Sequence, residues 1–168
     1  MALDLKKIGV LPRDRDLDYP VGEVRTLFAE HQVEVCFIEG EEDPEGLDLV
    51  VALGGDGTVL KAFARFPHCP VLAINFGTVG FLTAGDRKDL ARIVQLLVSG
   101  RYFLSERLVL HCRYPGGETL AFNEVTLRGR HKLLFTDVFV NDAKIRTIRG
   151  DGVAVGTPTG STGLLLSM

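Results

Sequence analysis

The chain has 168 residues, 46% of them hydrophobic, with a formal net charge of −3 and a pI near 5.8. That length suits one ordinary domain or two small ones, and the apolar content excludes intrinsic disorder. The mild acidity gives no reason to expect nucleic acid or an anionic membrane surface as a partner, and no apolar stretch approaches the roughly 20 residues that span a bilayer.

The opening MALDLKKIGVLP is a short strand pattern and not a charged-then-apolar secretory signal. Lys7 to Leu11 reads as a buried strand. Val21 to His31 puts Val21, Val24, Leu27 and Phe28 on one helical face. Val33 to Ile38 is β-branched and short, a second strand. Glu39 to Gly46 is acidic and punctuated by glycine and proline, hence a loop. Leu47 to Leu53 is a third strand, and its near-continuous apolar run predicts a sheet covered on both faces. Thr58 to Phe66 has helical period, Pro70 to Phe76 is a fourth strand, and Asp86 to Ser99 is a helix opened by acids and closed at Gly100. Strands alternating with helices predict a parallel, doubly wound α/β sheet with right-handed crossovers.

After Gly100 the texture changes. Phe103 to Arg113, Glu118 to Arg128, Leu133 to Val140, Lys144 to Arg149 and Val153 to Val155 read as closely spaced strands. The turn signals Pro115-Gly116-Gly117, Gly129 and Asn141-Asp142 lie between them. This is an antiparallel β-rich region, so a domain boundary is expected near residues 100 to 104, with an α/β domain over 1–101 and a β-rich domain over 102–168. Gly160 to Met168 (GSTGLLLSM) begins like a helix and stops without a terminating signal, leaving Leu164, Leu165 and Leu166 with nothing after them. A fragment of a longer protein is expected, or burial of these leucines by association.

Cys36, Cys69 and Cys112 are odd in number and far apart, each in an apolar setting. They read as small buried hydrophobes in a reducing cytoplasm rather than disulfide partners. No Cys/His spacing suggests zinc, so no metal ligands are assigned. His31, His68, His111 and His131 are scattered and read as surface or packing residues.

The chemistry gathers at LVVALGGDGTVL, residues 49–60. Gly54 to Gly57 follows a parallel strand and precedes a helix, the place where open α/β sheets bind ligands. The turn matches neither the dinucleotide fingerprint nor the GxxxxGK[ST] phosphate loop. Its glycines still let a phosphate or ribose approach the backbone, with helix N–H groups aimed at it. Asp56 can then accept a proton from an attacking hydroxyl, or help hold a magnesium ion. The alternative is that Asp56 caps the helix.

GGDGT after an apolar strand resembles the mark of a superfamily that includes NAD kinases, diacylglycerol and sphingosine kinases and 6-phosphofructokinases. Three further stretches, in the same order, make the chain look like the ATP- or polyphosphate-dependent NAD kinases. These are Ile74 to Thr83 (INFGTVGFLT), Phe122 to Val125 (FNEV) and Asp151 to Thr162 (DGVAVGTPTGST). The resemblance runs from about residue 5 to the end.

It implies transfer of a terminal phosphoryl group from ATP or polyphosphate to the 2′-hydroxyl of the adenosine ribose of NAD, giving NADP, with a divalent metal, Mg²⁺, assisting. Asp56 inherits the role of proton acceptor, and Gly54, Gly55, Gly57 and Thr58 that of the donor-phosphate loop. Gly57 and Lys61 fall at substrate-binding positions, and Asn123 and Glu124 at a pair that hydrogen-bonds the dinucleotide. Arg149, Asp151, Thr159, Thr162, Gly163, Leu164, Leu165, Leu166 and Ser167 fall at further NAD contacts. The family is also homo-oligomeric, a dimer or tetramer, with sites shared between subunits. Independently of the family, ribose hydroxyls suit Asn and Glu side chains, and Thr157 to Thr162 packs hydroxyls and a glycine ahead of a helix, a donor-rich cap for adenosine or phosphate. The alternatives are that Asn123-Glu124 is a turn or bulge between strands, and the Thr/Ser run simple helix capping.

The sequence departs from the family where Thr-Ala-Tyr-Ser-Leu-Ser becomes Thr162-Gly163-Leu164-Leu165-Leu166-Ser167. Leu164 then stands where a tyrosine ring packs on the nucleotide, a stacking contact of about 0.5–1.5 kcal/mol. Two other readings are a lipid kinase of the same superfamily and a dinucleotide-binding module without turnover. FNEV, TPTGST and the lack of a basic amphipathic stretch speak against the lipid kinase.

Overall fold

The computed structural model describes residues 3–13, 21–40, 43–76 and 80–167. The chain divides into two compact units, Met1–Ser105 and Glu106–Met168.

The first unit is built on a five-stranded sheet in the order β2-β1-β3-β4-β5. Its strands are β1 (Lys7–Pro12), β2 (Glu34–Phe37), β3 (Leu49–Leu53), β4 (Val71–Asn75) and β5 (Gly85–Asp86), and every pairing is parallel. The helices are α1 (Val21–Ala29), α2 (Asp56–Arg65) and α3 (Leu90–Val98). All five residues of β3 are buried, because its side chains alternate between two cores. Leu49, Val51 and Leu53 enter one with Val24 and Phe28 of α1 and Leu90, Val94 and Leu97 of α3. Val50 and Ala52 enter the other with Val59 and Ala62 of α2. Helices therefore cover both faces, as the continuous apolar run predicts, and each large side chain so buried contributes roughly 1.5–3 kcal/mol.

β5 has no counterpart in the sequence reading. Two residues pairing as Ile74↔Gly85 and Asn75↔Asp86 are too few to show a period. The last helix opens with a single 3₁₀ turn, Arg87–Asp89, where the Asp89 carboxylate accepts the Asp86 N–H at 3.4 Å. It ends at Gly100, whose φ of +71° is the left-handed conformation glycine tolerates. Tyr102 packs on the first core, and its hydroxyl accepts the Leu3 N–H. The three cysteines are half-buried and free rather than fully buried. Burial raises the Cys36 and Cys69 thiols above their ordinary range. Among the described residues no helix is long and apolar enough to cross a membrane.

The second unit holds three antiparallel pairs: β6 (Leu110–Tyr114) with β7 (Gly117–Ala121), β8 (Glu124–Arg128) with β11 (Gly152–Gly156), and β9 (Leu134–Val140) with β10 (Ala143–Gly150). Asn141 and Asp142 both have positive φ, +48° and +64°, the conformation of a tight hairpin turn. Three expectations are corrected here. Residues 103–109 form no strand: Phe103 is 89% exposed, and apolar residues without a neighbouring strand to bond do not make one. The expected strand from Glu118 to Arg128 is broken by a bend at Phe122–Asn123. The expected C-terminal helix is instead two 3₁₀ turns, Thr159–Thr162 and Leu164–Ser167, interrupted at Gly163 (φ −91°, ψ −136°); Met168 lies outside the described residues.

Candidate active site

The candidate residues fall on both units. In the first, the sheet order reverses between β1 and β3: the chain leaves β1 for α1 on one face and leaves β3 for α2 on the other. Open α/β sheets bind ligands at the carboxyl ends of the strands beside such a reversal, and the glycine-acid turn lies there, directly after β3. Gly54 donates its N–H to the Ile74 carbonyl at 3.0 Å. A methyl group there would sit 2.2 Å from Thr58 Oγ1 and 3.0 Å from Arg13 Cβ, so only glycine fits. Gly55 and Gly57 differ, since a Cβ on either would meet nothing within 4 Å. Neither has a positive φ, so local sterics do not explain these glycines. Bare backbone facing open space does, if a ligand lies against it.

Gly55, not Asp56, is the N-cap of α2, and no side chain caps the helix. The amide end of α2 is thus left for an anion. Asp56 is the first helical residue, and its carboxylate turns away from its own helix. Oδ2 accepts the Phe81 N–H at 3.1 Å and Oδ1 the Leu82 N–H at 3.0 Å. Two amides from a distant segment therefore fix its orientation. About two of a carboxylate's four lone-pair positions remain for a hydroxyl or a cation. Lys61 is exposed on α2 and lies four residues after Gly57, on the same stripe of the helix. The described part of INFGTVGFLT thus meets Asp56 through backbone amides that leave no mark in a sequence; residues 77–79 lie outside the described residues. A cavity of 480 Å³ lined by Leu3, Asp4, His31, Val33 and Gln95 sits at the amino edge of the sheet and holds none of these groups.

In the second unit the TPTGST turn folds onto the bend at Asn123. The Thr157 N–H donates to the Asn123 carbonyl at 2.8 Å, and its hydroxyl to the Phe122 carbonyl at 2.5 Å. The same hydroxyl accepts the Gly160 N–H at 2.9 Å. A Cβ on Gly160 would lie 2.2 Å from the Asn123 carbonyl oxygen, so the closeness requires glycine. A Cβ on Gly163 would lie 3.3 Å from Asn123 Nδ2 and 3.5 Å from Glu124 Oε2. That Oε2 atom is buried and has no hydrogen-bond partner. A buried oxygen without a donor costs about 1–3 kcal/mol, and a ligand hydroxyl would satisfy it.

The hydroxyls of the run do not form the free donor set read from the sequence. Ser161 donates to the Pro158 carbonyl at 2.7 Å, Thr162 to Thr159 at 3.3 Å and Ser167 to Leu164 at 2.8 Å. Leu165 turns inward, so that a Cβ on Gly156 would strike its Cδ1, while Leu164 and Leu166 are exposed. Thr159 is half-buried.

Arg149 and Asp151 are not brought to Asn123 and Glu124. They lie where β10 passes into β11, and Asn123–Glu124 at the far end, because the register pairs Gly156 with Glu124 and Gly152 with Arg128. Four strand steps, about 13 Å, separate the two ends. The Arg149 guanidinium stands over the Phe135 ring, 5.6 Å from its centroid.

These features have counterparts in known proteins. The family model for the ATP-NAD kinase N-terminal domain matches residues 29–102. The NAD kinase of Thermomicrobium roseum is 34% identical, the match covering 83% of this chain and 50% of that protein. The NAD kinase of Methanosarcina barkeri is 32% identical, covering 97% and 66%. Among solved structures, the yeast NADH kinase complexed with NADH has a TM-score of 0.76 at 27% identity, covering 97% of this chain and 60% of that one. An NAD kinase from Archaeoglobus fulgidus in complex with ATP has a TM-score of 0.79 at 29% identity, covering 96% and 64%. The chain spans about half the length of the first curated relatives it matches. With the glycine-acid turn at the switch point and the TPTGST turn seated on Asn123–Glu124, this agreement in sequence and fold means that the chain belongs to the NAD kinase family.

Proposed function

We propose that the protein transfers a terminal phosphoryl group from ATP or polyphosphate to the 2′-hydroxyl of the adenosine ribose of NAD, forming NADP, with Asp56 as proton acceptor. The observation that carries this reading is the Asp56 carboxylate. It is held by the Phe81 and Leu82 amides beside the uncapped amide end of α2. The relatives supply the substrate classes, one being named as complexed with NADH and another with ATP. The phosphates lie along bare Gly55 and Gly57, and Lys61 meets one of them from the same helix stripe. Asn123 and the unpartnered Glu124 oxygen hold the ribose hydroxyls. Arg149 and Asp151, at the far end of β11, serve a site completed by a second subunit of a homo-oligomer.

No group of three or more His, Cys, Asp or Glu side chains poised for a metal exists among the described residues. Mg²⁺ is commonly held by one or two carboxylates together with substrate phosphates, and the turn presents one carboxylate, Asp56. Asp56 would be its protein ligand, and the ion would offset phosphate charge when bound.

The test is NADP formation from NAD, magnesium and either donor, read with an NADP-specific dehydrogenase. Asp56→Asn should lower turnover by about 10²–10⁴-fold, the usual worth of a positioned base, while NAD still binds and the unfolding midpoint holds. Undiminished turnover would remove Asp56 from this role.

A further inference from the structure

Arg13 is the first residue beyond β1. Its N–H donates to the Leu53 carbonyl at 2.9 Å, extending the ladder one step past the Pro12↔Leu53 pair. Its backbone is thereby anchored at the root of the glycine turn. Its stem lies over Gly54, where an added methyl would come within 3.0 Å of Arg13 Cβ. Arg13 thus stands beside the glycine turn at the carboxyl end of β1. The side chain is exposed, and among the described residues it enters no ion pair.

The charge balance of the turn calls for such a group. The nearest described ionisable side chain of the turn is Asp56, an anion. A donor with several phosphates carries more negative charge than the amide end of α2, worth about half a positive charge, and Lys61 offset between them. Lys61 is a single point charge on a flexible stem. A guanidinium is a planar fork of donors that takes two phosphate oxygens at once.

We propose that Arg13 binds the phosphate chain of the donor and meets the charge that grows on the departing phosphate. The inference rests on the phosphoryl-transfer reading of the turn. In that step an acceptor oxygen–phosphorus bond forms and the bond from that phosphorus to the bridging oxygen breaks. The electron pair leaves with the bridging oxygen on the shortened phosphate chain, and the acceptor's proton passes to Asp56. The ligand class is a linear chain of phosphates, whether or not it carries a nucleoside.

Calorimetric titration with tripolyphosphate tests it on the protein and on Arg13→Ala and Arg13→Lys, with NAD titrated in parallel. Losing charge-assisted hydrogen bonds to phosphate corresponds to about 10- to 100-fold in affinity. Arg13→Ala should weaken tripolyphosphate by that factor and raise the donor KM, with NAD affinity and the unfolding midpoint unchanged. Arg13→Lys should recover part of the loss. Equal tripolyphosphate affinity in Arg13→Ala, or no tripolyphosphate binding by the unaltered protein, overturns the assignment. The two readings also fail separately. NADP formation with an unchanged donor KM in Arg13→Ala removes Arg13 and leaves the kinase. Arg13-dependent tripolyphosphate binding by a protein that forms no NADP removes the kinase and leaves Arg13.

Discussion

At Gly54 a methyl group would sit 2.2 Å from Thr58 Oγ1, whereas at Gly57 it would meet open space. Both glycines are visible in the sequence, but their different reasons are not, because the clash depends on where Thr58 and Arg13 are brought. The substitutions should therefore part company. Gly54→Ala overpacks the turn and should cost about 1–3 kcal/mol of stability. Gly57→Ala adds a better helix former at an exposed position of α2 and should stabilise by up to about 0.5–1 kcal/mol. Urea unfolding measures both, and a destabilised Gly57→Ala would contradict the open backbone. If a donor lies on that backbone, Gly57→Ala also raises the donor KM while gaining stability. The acid between these glycines was legible as chemistry from its neighbours alone. Its partners, two main-chain amides at Phe81 and Leu82, were not, since an amide looks the same at every residue.

Element by element, what could be read follows the length of the pattern. β3 and α3 repeat their apolar positions often enough to announce themselves, and their buried residues are those the periods mark. β5 is two residues long and could not. In the second unit, the segment from Glu118 to Arg128 looks like one strand because its residues suit one. Thr157 breaks it in two by bonding the carbonyls of Phe122 and Asn123. A different tie holds the start of β1: the Asp48 carboxylate accepts the Lys6 and Lys7 N–H groups, each at 2.8 Å. These bonds, Lys7's first, hold the Asp48 carboxyl below its ordinary value, which is near 3.9. The fold therefore favours the ionised form. Its contribution is complete above about pH 4 and is lost as pH falls through the lower folded value. Asp48→Asn should be less stable than the unaltered protein at neutral pH, and the gap should narrow below about pH 4. Denaturant unfolding across that range checks it, and a gap independent of pH would show that these bonds do not couple to ionisation.

For the whole molecule, the second unit exposes Phe135, Phe139, Ile145, Leu127 and Leu166. Exposed apolar side chains, where they form a contiguous patch, mark interaction faces. Arg149 and Asp151 lie at the opposite end of β11 from Glu124, and the proposal that they serve a site completed by a second copy is tested by the oligomeric state. Sedimentation equilibrium should give a homo-oligomer, and Phe139→Glu should lower its mass. A single-chain mass at every concentration would require Arg149 and Asp151 to serve something else.

By itself the sequence determined the alternation of strands and helices, the change to antiparallel strands after Gly100, and the order of the GGDGT, FNEV and TPTGST motifs. Each is written in residues adjacent along the chain. Only the tertiary structure decided that Asp56 faces the amides of Phe81 and Leu82, that Arg13 lies over Gly54, and that Gly160 and Gly163 close on Asn123 and Glu124. The same holds for the separation of Arg149 from that cluster. Those contacts depend on strand order and register. Periodicity is a local property that carries neither, and a one-residue slip in pairing would send every side chain to the other face.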